Sequence, residues 1–360
     1  MNTDDYLFAN FKPKEERDLF CQNQMVDRLR KLFVNGLDIS ILIHGPSGIG
    51  KKTTVISLLK YIITDKKSFK FSDFEPMKTV ASDDYGGLFR YNNIYYLDCK
   101  NFTNTEFSHM INKLVPIFKS RSIVDSRKIF IMTNLDTIII ANQQKIANVI
   151  EKFSTNVSFI FTSVSNNKIA HKIRSLVCKL NYVPLNDNEF KKKFYSIFKN
   201  FFDDEDLMDN KTLLLNKFYI IYKNNNNNIG NTLHQINYLY LSEKLNKKEL
   251  SKKINLICIM DRLVINLINT IIKSNTIKSY EILKEKIYKM KSLTMDDIQI
   301  IKSFSKNIIL IEKMDNDMKH KIIELCAENS ESISKSSKPV ILLENFVIKL
   351  WAILKNINYD

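Results

Sequence analysis

The chain has 360 residues, of which 44% are hydrophobic and 26% are charged, and its formal net charge at pH 7 is +15. An apolar fraction of this size excludes a wholly disordered chain, and five scattered cysteines without a Cys-x-x-Cys or Cys/His cluster indicate neither a zinc site nor a disulfide framework. The positive balance favours a polyanionic partner such as nucleic acid, although a coding bias towards lysine and asparagine would give the same charge.

The first predicted element is a helix within residues 1–38, in a chain whose length predicts two or three domains. Met25, Leu29 and Phe33 recur at helical spacing. Gly36 stands where a helix commonly ends.

Residues 39–54 are predicted to form a strand, a glycine-rich turn and the start of a helix. The spacing Gly45-x4-Gly50-Lys51 is the P-loop pattern, in which backbone N–H groups and a helix N-terminus bind phosphate and the lysine reaches the β- and γ-phosphates. Three of the chain's seven glycines fall within these six positions, which argues against a chance turn. The predicted nucleotide-binding residues of this stretch are Gly45, Pro46, Ser47, Gly48, Ile49, Gly50, Lys51, Lys52 and Thr53.

Lys52 departs from the P-loop pattern. The P-loop lysine is ordinarily followed by Ser or Thr, whose hydroxyl holds Mg²⁺, whereas here Thr53 comes one residue late. We therefore expect ATP or ADP as the cofactor, and a cation in the place of a metal ligand argues against tight handling of a Mg²⁺–nucleotide complex.

Four further strand patterns follow, at 94–97, 129–132, 157–162 and around 180–183, with helical patterns between them. This alternation predicts an α/β domain with a parallel sheet. The strand at 129–132 runs into Thr133-Asn134-Leu135-Asp136, where P-loop ATPases carry an acidic pair that holds Mg²⁺ and activates the attacking water. An amide cannot take a proton from water, so Asn134 is a poor general base, and the acidic Asp136 is two residues late.

Beyond Pro184 the sequence predicts helices alone. Residues 186–245 have the pattern of a small helical bundle interrupted by the asparagine run 224–228, which we interpret as a low-complexity surface loop or helix-end insertion without a function of its own. Two wide apolar stripes follow, at 256–271 and 341–354, and each would bury against other helices of a monomeric core or against a partner subunit.

Three residues in these stripes sharpen the expectations. The apolar run 254–272 contains Asp261 and Arg262, which make it too polar for a membrane span, so no membrane association is expected. Trp351, the only tryptophan, is predicted to meet a helix of a neighbouring subunit, the alternative being that it fills this chain's own core.

These motifs together resemble the replication factor C family of sliding-clamp loaders, which are AAA+ proteins. The stretch 45–53 is similar to the P-loop of the family's end-position, non-hydrolysing small subunit, which also carries a double lysine. The segment Asn10-Phe11-Lys12-Pro13 resembles the family's Lys-Tyr-Arg-Pro segment near the adenine and adds Phe11 and Pro13 to the expected nucleotide site. Ile173-Arg174-Ser175 resembles the start of its Ile-Arg-Ser-Arg-Cys motif, and residues 337–349 resemble its last collar helix.

The resemblance implies the fold, the partners and the place of action. It implies an α/β then all-α chain, with an AAA+ P-loop parallel sheet domain at 1–184, a helical lid at 185–245 and a C-terminal helical collar at 246–360. In the family the collar joins five subunits in a ring, a hetero-pentamer that uses ATP to place a sliding clamp on primer–template DNA. The expected location is the nucleus, or a cytoplasmic replication site if the chain is viral.

The departures from the family pattern all remove catalytic chemistry. Leu176 stands where the family has the arginine that reaches a neighbour's ATP, Val164 stands near the sensor-1 polar position, and Leu233 stands where sensor 2 usually has arginine. With Lys52, Thr133 and Asn134 they indicate a catalytically degenerate subunit with a degenerate Walker B motif and sensors. The alternatives are an independent P-loop AAA+ ATPase of the initiator or helicase-loader type and an unrelated P-loop kinase.

Overall fold

The computed structural model describes residues 11–13, 15–63, 69–77, 87–120, 127–199, 211–242, 259–273, 279–292, 297–311, 315–335 and 339–354. Asn10, residues 256–258 and residues 337–338 lie outside these ranges. The chain divides into two compact units, residues 1–254 and 255–360. Across the described ranges no helix has the length and apolar character that crossing a membrane requires. The finer division into three domains remains a prediction.

A seven-stranded sheet lies in the first unit, in the order β2-β3-β4-β5-β6-β1-β7. Its strands are β1 Ile41–His44, β2 Glu75–Pro76, β3 Leu88–Tyr91, β4 Ile94–Asp98, β5 Lys128–Thr133, β6 Val157–Ser163 and β7 Cys178–Asn181. The five strands from β4 to β7 in that order are parallel, as predicted, and β2 and β3 extend them as an antiparallel edge that the sequence reading missed.

Helices cover both faces of the sheet. The first five are α1 Asn23–Val34, α2 Lys51–Leu58, α3 Asn104–Lys119, α4 Ile140–Phe153 and α5 His171–Leu176. Successive strand residues point to opposite faces, so Ile41 and Ile43 join the core cluster containing α1 and α2, while Leu42 joins the cluster containing α3 and α4. Burial on both faces explains why the strands are continuously apolar rather than alternating.

Three more helices complete the described part of the first unit: α6 Asp187–Ile197, α7 Lys211–Asn224 and α8 Ile229–Ser242. Asn186 caps α6 by accepting a hydrogen bond at Oδ1 from the Glu189 amide at 2.8 Å, and the Glu189 carboxylate accepts one from the Asn186 amide at 3.1 Å. Aromatic contacts hold α6 to α7, including a stacked pair of Phe190 and Tyr222 with ring centroids 4.6 Å apart.

All the regular secondary structure described in the second unit is helical. Its helices are α9 Ile259–Lys273, α10 Ser279–Ser292, α11 Asp297–Ile309, α12 Asn316–Lys335 and α13 Pro339–Leu354. With the sheet in the first unit, this confirms the predicted fold class, α/β followed by all-α.

The predicted apolar stripe of α13 packs into the core of the second unit. Its fully buried members are Leu343, Phe346, Val347 and Leu350. Trp351 is half-buried against the same core, whereas Ile341 at the start of the stripe is 59% exposed. The unit's own core therefore accounts for most of the stripe.

Candidate nucleotide-binding site

The P-loop follows the carboxyl end of β1, at the point in the sheet where the order of the strands reverses. β1 pairs with β6 on one side and β7 on the other, and the chain visits the far strands β4 and β5 before returning to β6. Ligands of open α/β sheets bind at such a switch point, outside the carboxyl ends of the strands. The fold therefore places the predicted phosphate loop where a ligand is expected.

The loop conformation requires its glycines. Gly48 and Gly50 have φ of +72° and +102°, a region that side chains with a Cβ rarely adopt, and Gly50 is the residue immediately before α2. A Cβ on Gly45 would lie 2.3 Å from the carbonyl oxygen of Tyr182, so the loop passes too close to that backbone for any side chain. The spacing of the motif thus reflects backbone geometry.

Lys51 is the buried cation of the loop. Its Nζ donates hydrogen bonds to the carbonyl oxygens of Gly45 at 2.6 Å and Pro46 at 2.7 Å. Burial lowers the pKa of Lys51 to about 8, and the nearby carboxylate of Asp136 acts in the opposite direction. A bound phosphate would favour the protonated ammonium and so raise this pKa.

A cavity of about 370 Å³ opens over the loop and brings most of the predicted residues together. The predicted residues that line it are Phe11, Pro13, Ser47, Gly48, Gly50, Lys51, Lys52, Thr53, Thr133, Asn134, Val164 and Leu233. Ile49 is buried in the core beneath the loop, and Leu176 packs against the opposite core cluster, so neither lines the cavity. Asp136 also lies outside the lining, where its Oδ1 accepts a hydrogen bond from the Val164 amide at 3.2 Å.

Thr133 and Asn134, which are predicted to stand in the place of the Walker B acids, form a hydrogen-bond network with their neighbours. The Tyr96 hydroxyl and Thr133 Oγ1 are 3.0 Å apart, and Asn134 Nδ2 donates to Asp98 Oδ1 at 2.9 Å. The Lys52 ammonium lies 4.6 Å from the Tyr96 ring centroid. Burial lowers the pKa of Lys52, with the Asp98 carboxylate opposing that shift.

The asparagine run, predicted to be a surface loop or helix-end insertion without a function of its own, ends α7 and connects it to α8, and its last residue lines the cavity. The Asn228 side chain lies 2.1 Å from the position that a Cβ on Gly48 would occupy. Asn226 and Asn227 have φ of +54° and +61°, and asparagine tolerates this left-handed region better than other residues with a Cβ. Asn225 is buried and donates to the carbonyl of Ile221 at 3.0 Å.

Other lining residues were missed because they carry no motif. They are Asp18, Leu19, Phe20, Thr54, Thr162, Tyr182, Asn228, Ile229 and Gly230. For the asparagine run a usable signal existed, since consecutive asparagines between two helical patterns predict a tight turn with a helix cap. The hydroxyls of Tyr182 and Thr54 are hydrogen-bonded at 2.7 Å, but nothing in the sequence pattern indicates that Tyr182 lies near the phosphate loop.

The arrangement fits the phosphates of a nucleotide but does not fit Mg²⁺. The loop residues Ser47, Gly48 and Gly50 and the first residues of α2, Lys51 among them, line one cavity. Loop amides, a helix N-terminus and a lysine are the groups that bind phosphate in such sites. Within the described ranges, no three His, Cys, Asp or Glu side chains are grouped so that they could hold a metal ion. Where P-loop ATPases supply one hydroxyl and an acidic pair to Mg²⁺ and its water, this chain is predicted to have Lys52, Thr133 and Asn134. None of these carries a carboxylate, and the Thr133 hydroxyl is paired with that of Tyr96 at 3.0 Å.

Comparison with known proteins agrees with the resemblance seen in the motifs. No protein-family model matches the chain. A replication factor C small subunit of Picrophilus torridus is 26% identical over 201 residues, 55% of this chain and 56% of that protein. Replication factor C subunit 4 of Saccharomyces cerevisiae is 23% identical over 189 residues, 52% of this chain and 51% of that protein.

A third relative aligns over nearly its whole length. Replication factor C subunit 5 of Oryza sativa subsp. japonica is 20% identical over 356 residues, 96% of both chains. The chain spans about half the length of the first two relatives. Similarity to replication factor C small subunits is therefore established, while likeness to the end-position subunit remains a prediction.

Proposed function

We propose that this chain is a nucleotide-binding subunit of a replication factor C-like clamp loader that does not itself hydrolyse ATP. The observation that carries the proposal is a phosphate loop that keeps Lys51 and its glycines at the end of β1, in the same cavity as Thr133 and Asn134, which would stand in place of the catalytic acids. Similarity to replication factor C small subunits in the curated relatives supports the clamp-loader part.

The chain's own residues would bind and orient the nucleotide. A bound ATP or ADP supplies the phosphate oxygens, and the loop amides, the α2 N-terminus and Lys51 provide donors and positive charge. Phe11 and Pro13 line the same cavity and are proposed to contact the base. General-base assistance is typically worth about 10²–10⁴ in rate, and Asn134, whose amide donates to Asp98, cannot supply it.

We further propose three kinds of macromolecular partner. The helical second unit is assigned to the collar, which would join the other subunits of a hetero-pentamer that acts on the sliding clamp. The net charge of +15 supports binding to primer–template DNA through phosphates, independent of sequence. The place of action would be the nucleus, or a cytoplasmic replication site for a viral genome.

The test uses the purified full chain and then the assembled complex. Fluorescent ADP should bind to the chain, Lys51→Ala should weaken that binding, and ATP turnover should stay at background. Lys179→Ala is the control, since it removes an exposed lysine from β7 outside the cavity. Co-expression with the other clamp-loader subunits of the same genome should then give a complex.

The DNA part of the proposal has its own measurement. Affinity of that complex for primer–template DNA should fall with salt, each neutralised duplex phosphate adding about −0.9 to the log–log slope. A turnover number on the order of 1 s⁻¹ or more that Lys51→Ala abolishes would favour the independent ATPase instead. Failure to join the other subunits would overturn the clamp-loader assignment.

A further inference from the structure

We propose that the site binds its nucleotide without Mg²⁺, with the Lys52 ammonium as the resident cation where the metal would otherwise lie. The inference rests on the proposed nucleotide-binding function and concerns what that binding requires.

The acidic groups nearest the site are already engaged by protein donors. Asp98 Oδ1 accepts from Asn134 Nδ2 at 2.9 Å and from the Lys100 amide at 3.1 Å. Asp136 Oδ1 accepts from the Val164 amide at 3.2 Å. The partners of the two carboxylates lie in the segments that follow β4, β5 and β6. Neither of these carboxylates lines the cavity, and the one carboxylate in the described lining, that of Asp18, accepts at Oδ2 from the Glu15 amide at 3.0 Å. The carboxylate oxygens that Mg²⁺ prefers are therefore bonded to backbone or side-chain donors of the protein.

Lys52 is held in a defined position. Its Nζ lies 4.3 Å from the centroid of the Phe71 ring and 4.6 Å from that of Tyr96, within the range of a cation–π interaction. The two rings contact each other edge to face, with centroids 4.9 Å apart. The Tyr96 hydroxyl is in turn fixed by Thr133, so the residue in the place of a metal-binding acid supports the lysine's aromatic cage.

The positive charge of the site favours binding of an anion that is not already complexed to a divalent cation. Lys51 and Lys52 are the first two residues of α2, where the helix already contributes partial positive charge, and both lysines line the cavity. Desolvation makes this concentration of like charge unfavourable unless an anion binds beside it. A free nucleotide phosphate supplies that charge, whereas Mg²⁺ would add to the repulsion.

The test compares fluorescent ADP binding by the full chain in excess EDTA and in millimolar Mg²⁺. Wild-type affinity in EDTA should equal or exceed that in Mg²⁺. Lys52→Met keeps an unbranched side chain between the two rings while removing the charge, and it should weaken binding in EDTA by about tenfold or more, as expected for a charge-assisted contact. Lys191→Met is the matched control, because Lys191 also lies over an aromatic ring, that of Tyr219 at 5.9 Å, but outside the cavity.

The outcomes separate this inference from the proposed function. Wild-type binding that is lost in EDTA and restored by Mg²⁺ would overturn the inference while leaving the nucleotide site intact. Unchanged affinity in Lys52→Met would overturn the role of the ammonium. Absence of ADP and ATP binding under both conditions would overturn the proposed nucleotide function itself. The wild-type comparison needs no variant, so a folding defect in Lys52→Met would not obscure it.

Discussion

The backbone amide of Ile229 donates a hydrogen bond to the carbonyl oxygen of Gly48 at 2.9 Å. This bond joins the first residue of α8 to the phosphate-binding loop, two segments far apart in sequence. The Asn228 side chain occupies the adjoining space, and its Oδ1 caps α8 by accepting from the Asn231 amide at 3.0 Å. A change in the loop at this point should therefore affect both nucleotide binding and the seating of α8.

Gly48→Ala should test this contact. We expect it to weaken ADP binding by about tenfold or more and to lower the melting temperature, since the added Cβ would meet Asn228 in addition to the strain of φ +72°. Gly36→Ala is the matched control, because φ is +79° there but nothing lies within 4 Å of the added Cβ. It should cost only the roughly 1–2 kcal/mol of a left-handed residue and leave affinity unchanged.

A double variant separates strain from collision in the same experiment. Gly48→Ala with Asn228→Ala removes the colliding side chain together with its cap on α8, so the double variant should be destabilised by less than the sum of the two single variants. Equal behaviour of Gly48→Ala and Gly36→Ala in both assays would mean that the contact with Asn228 has no energetic consequence.

Nucleotide affinity should decrease above about pH 8, because the pKa of Lys51 is lowered to about 8 by burial and phosphate binds the protonated ammonium. Binding raises that pKa, so between the free and bound values the affinity should fall by up to about tenfold per pH unit. Titrations from pH 7 to 9.5 in the Lys52→Met background would isolate this effect from the second lysine. Lys51→Arg in the same background stays charged over this pH range and should give an affinity that does not change with pH. An equally flat profile with Lys51 present would contradict the role of its ammonium in phosphate binding.

The last helix, α13, carries both buried core residues and exposed residues, which can be tested separately. Phe346 on α13 is fully buried, and the centroid of its ring lies 5.3 Å from that of the Phe304 ring. Phe346→Ala should therefore lower the free energy of unfolding by about 3–5 kcal/mol. Trp351→Ala should also lower the melting temperature, because this half-buried ring packs on the same core. Thermal unfolding of the isolated chain measures both.

Ile341→Asp on the same helix should leave the isolated chain's melting temperature unchanged, since the side chain is 59% exposed. If α13 belongs to a collar, this variant should enter a complex with the other subunits less well, which co-purification with them would measure. A melting temperature lowered as far as that of Phe346→Ala would instead place Ile341 in the core.

A buried polar cluster links α9 to α11 in the second unit. Asp261 accepts hydrogen bonds from Lys306 Nζ at 2.8 Å, from Asn307 Nδ2 at 3.2 Å and from the Ser303 hydroxyl. Asp261→Ala should cost about 1–3 kcal/mol, because it leaves the buried Ser303 hydroxyl without this acceptor. Glu324→Ala, which removes an exposed carboxylate from α12, should cost less than about 0.5 kcal/mol in the same chemical denaturation experiment.

The parallel strands were predictable because each is a short apolar run flanked by turn residues, and burial on both faces leaves that pattern uninterrupted. β2 was missed because Glu75–Pro76 is too short to show a period and both of its residues are exposed. β3, its antiparallel partner, was missed with it. The position of the asparagine run beside the cavity was not predicted because composition suggested only low complexity, whereas the tolerance of asparagine for left-handed turns shapes this segment. The cage around Lys52 joins Phe71 to Tyr96, a contact across the fold that no local pattern carries.

The two edges of the sheet bear on how this protein meets other chains. β2 at one edge has two residues and ends in Pro76, which has no backbone N–H to donate, and β7 at the other edge is four residues long with Lys179 exposed. Short strands, proline and lysine all discourage an incoming strand from pairing with a sheet edge. Both edges of the sheet therefore disfavour the addition of a strand from another chain. We expect stable contacts of the first unit with other chains to be made by its helices and loops.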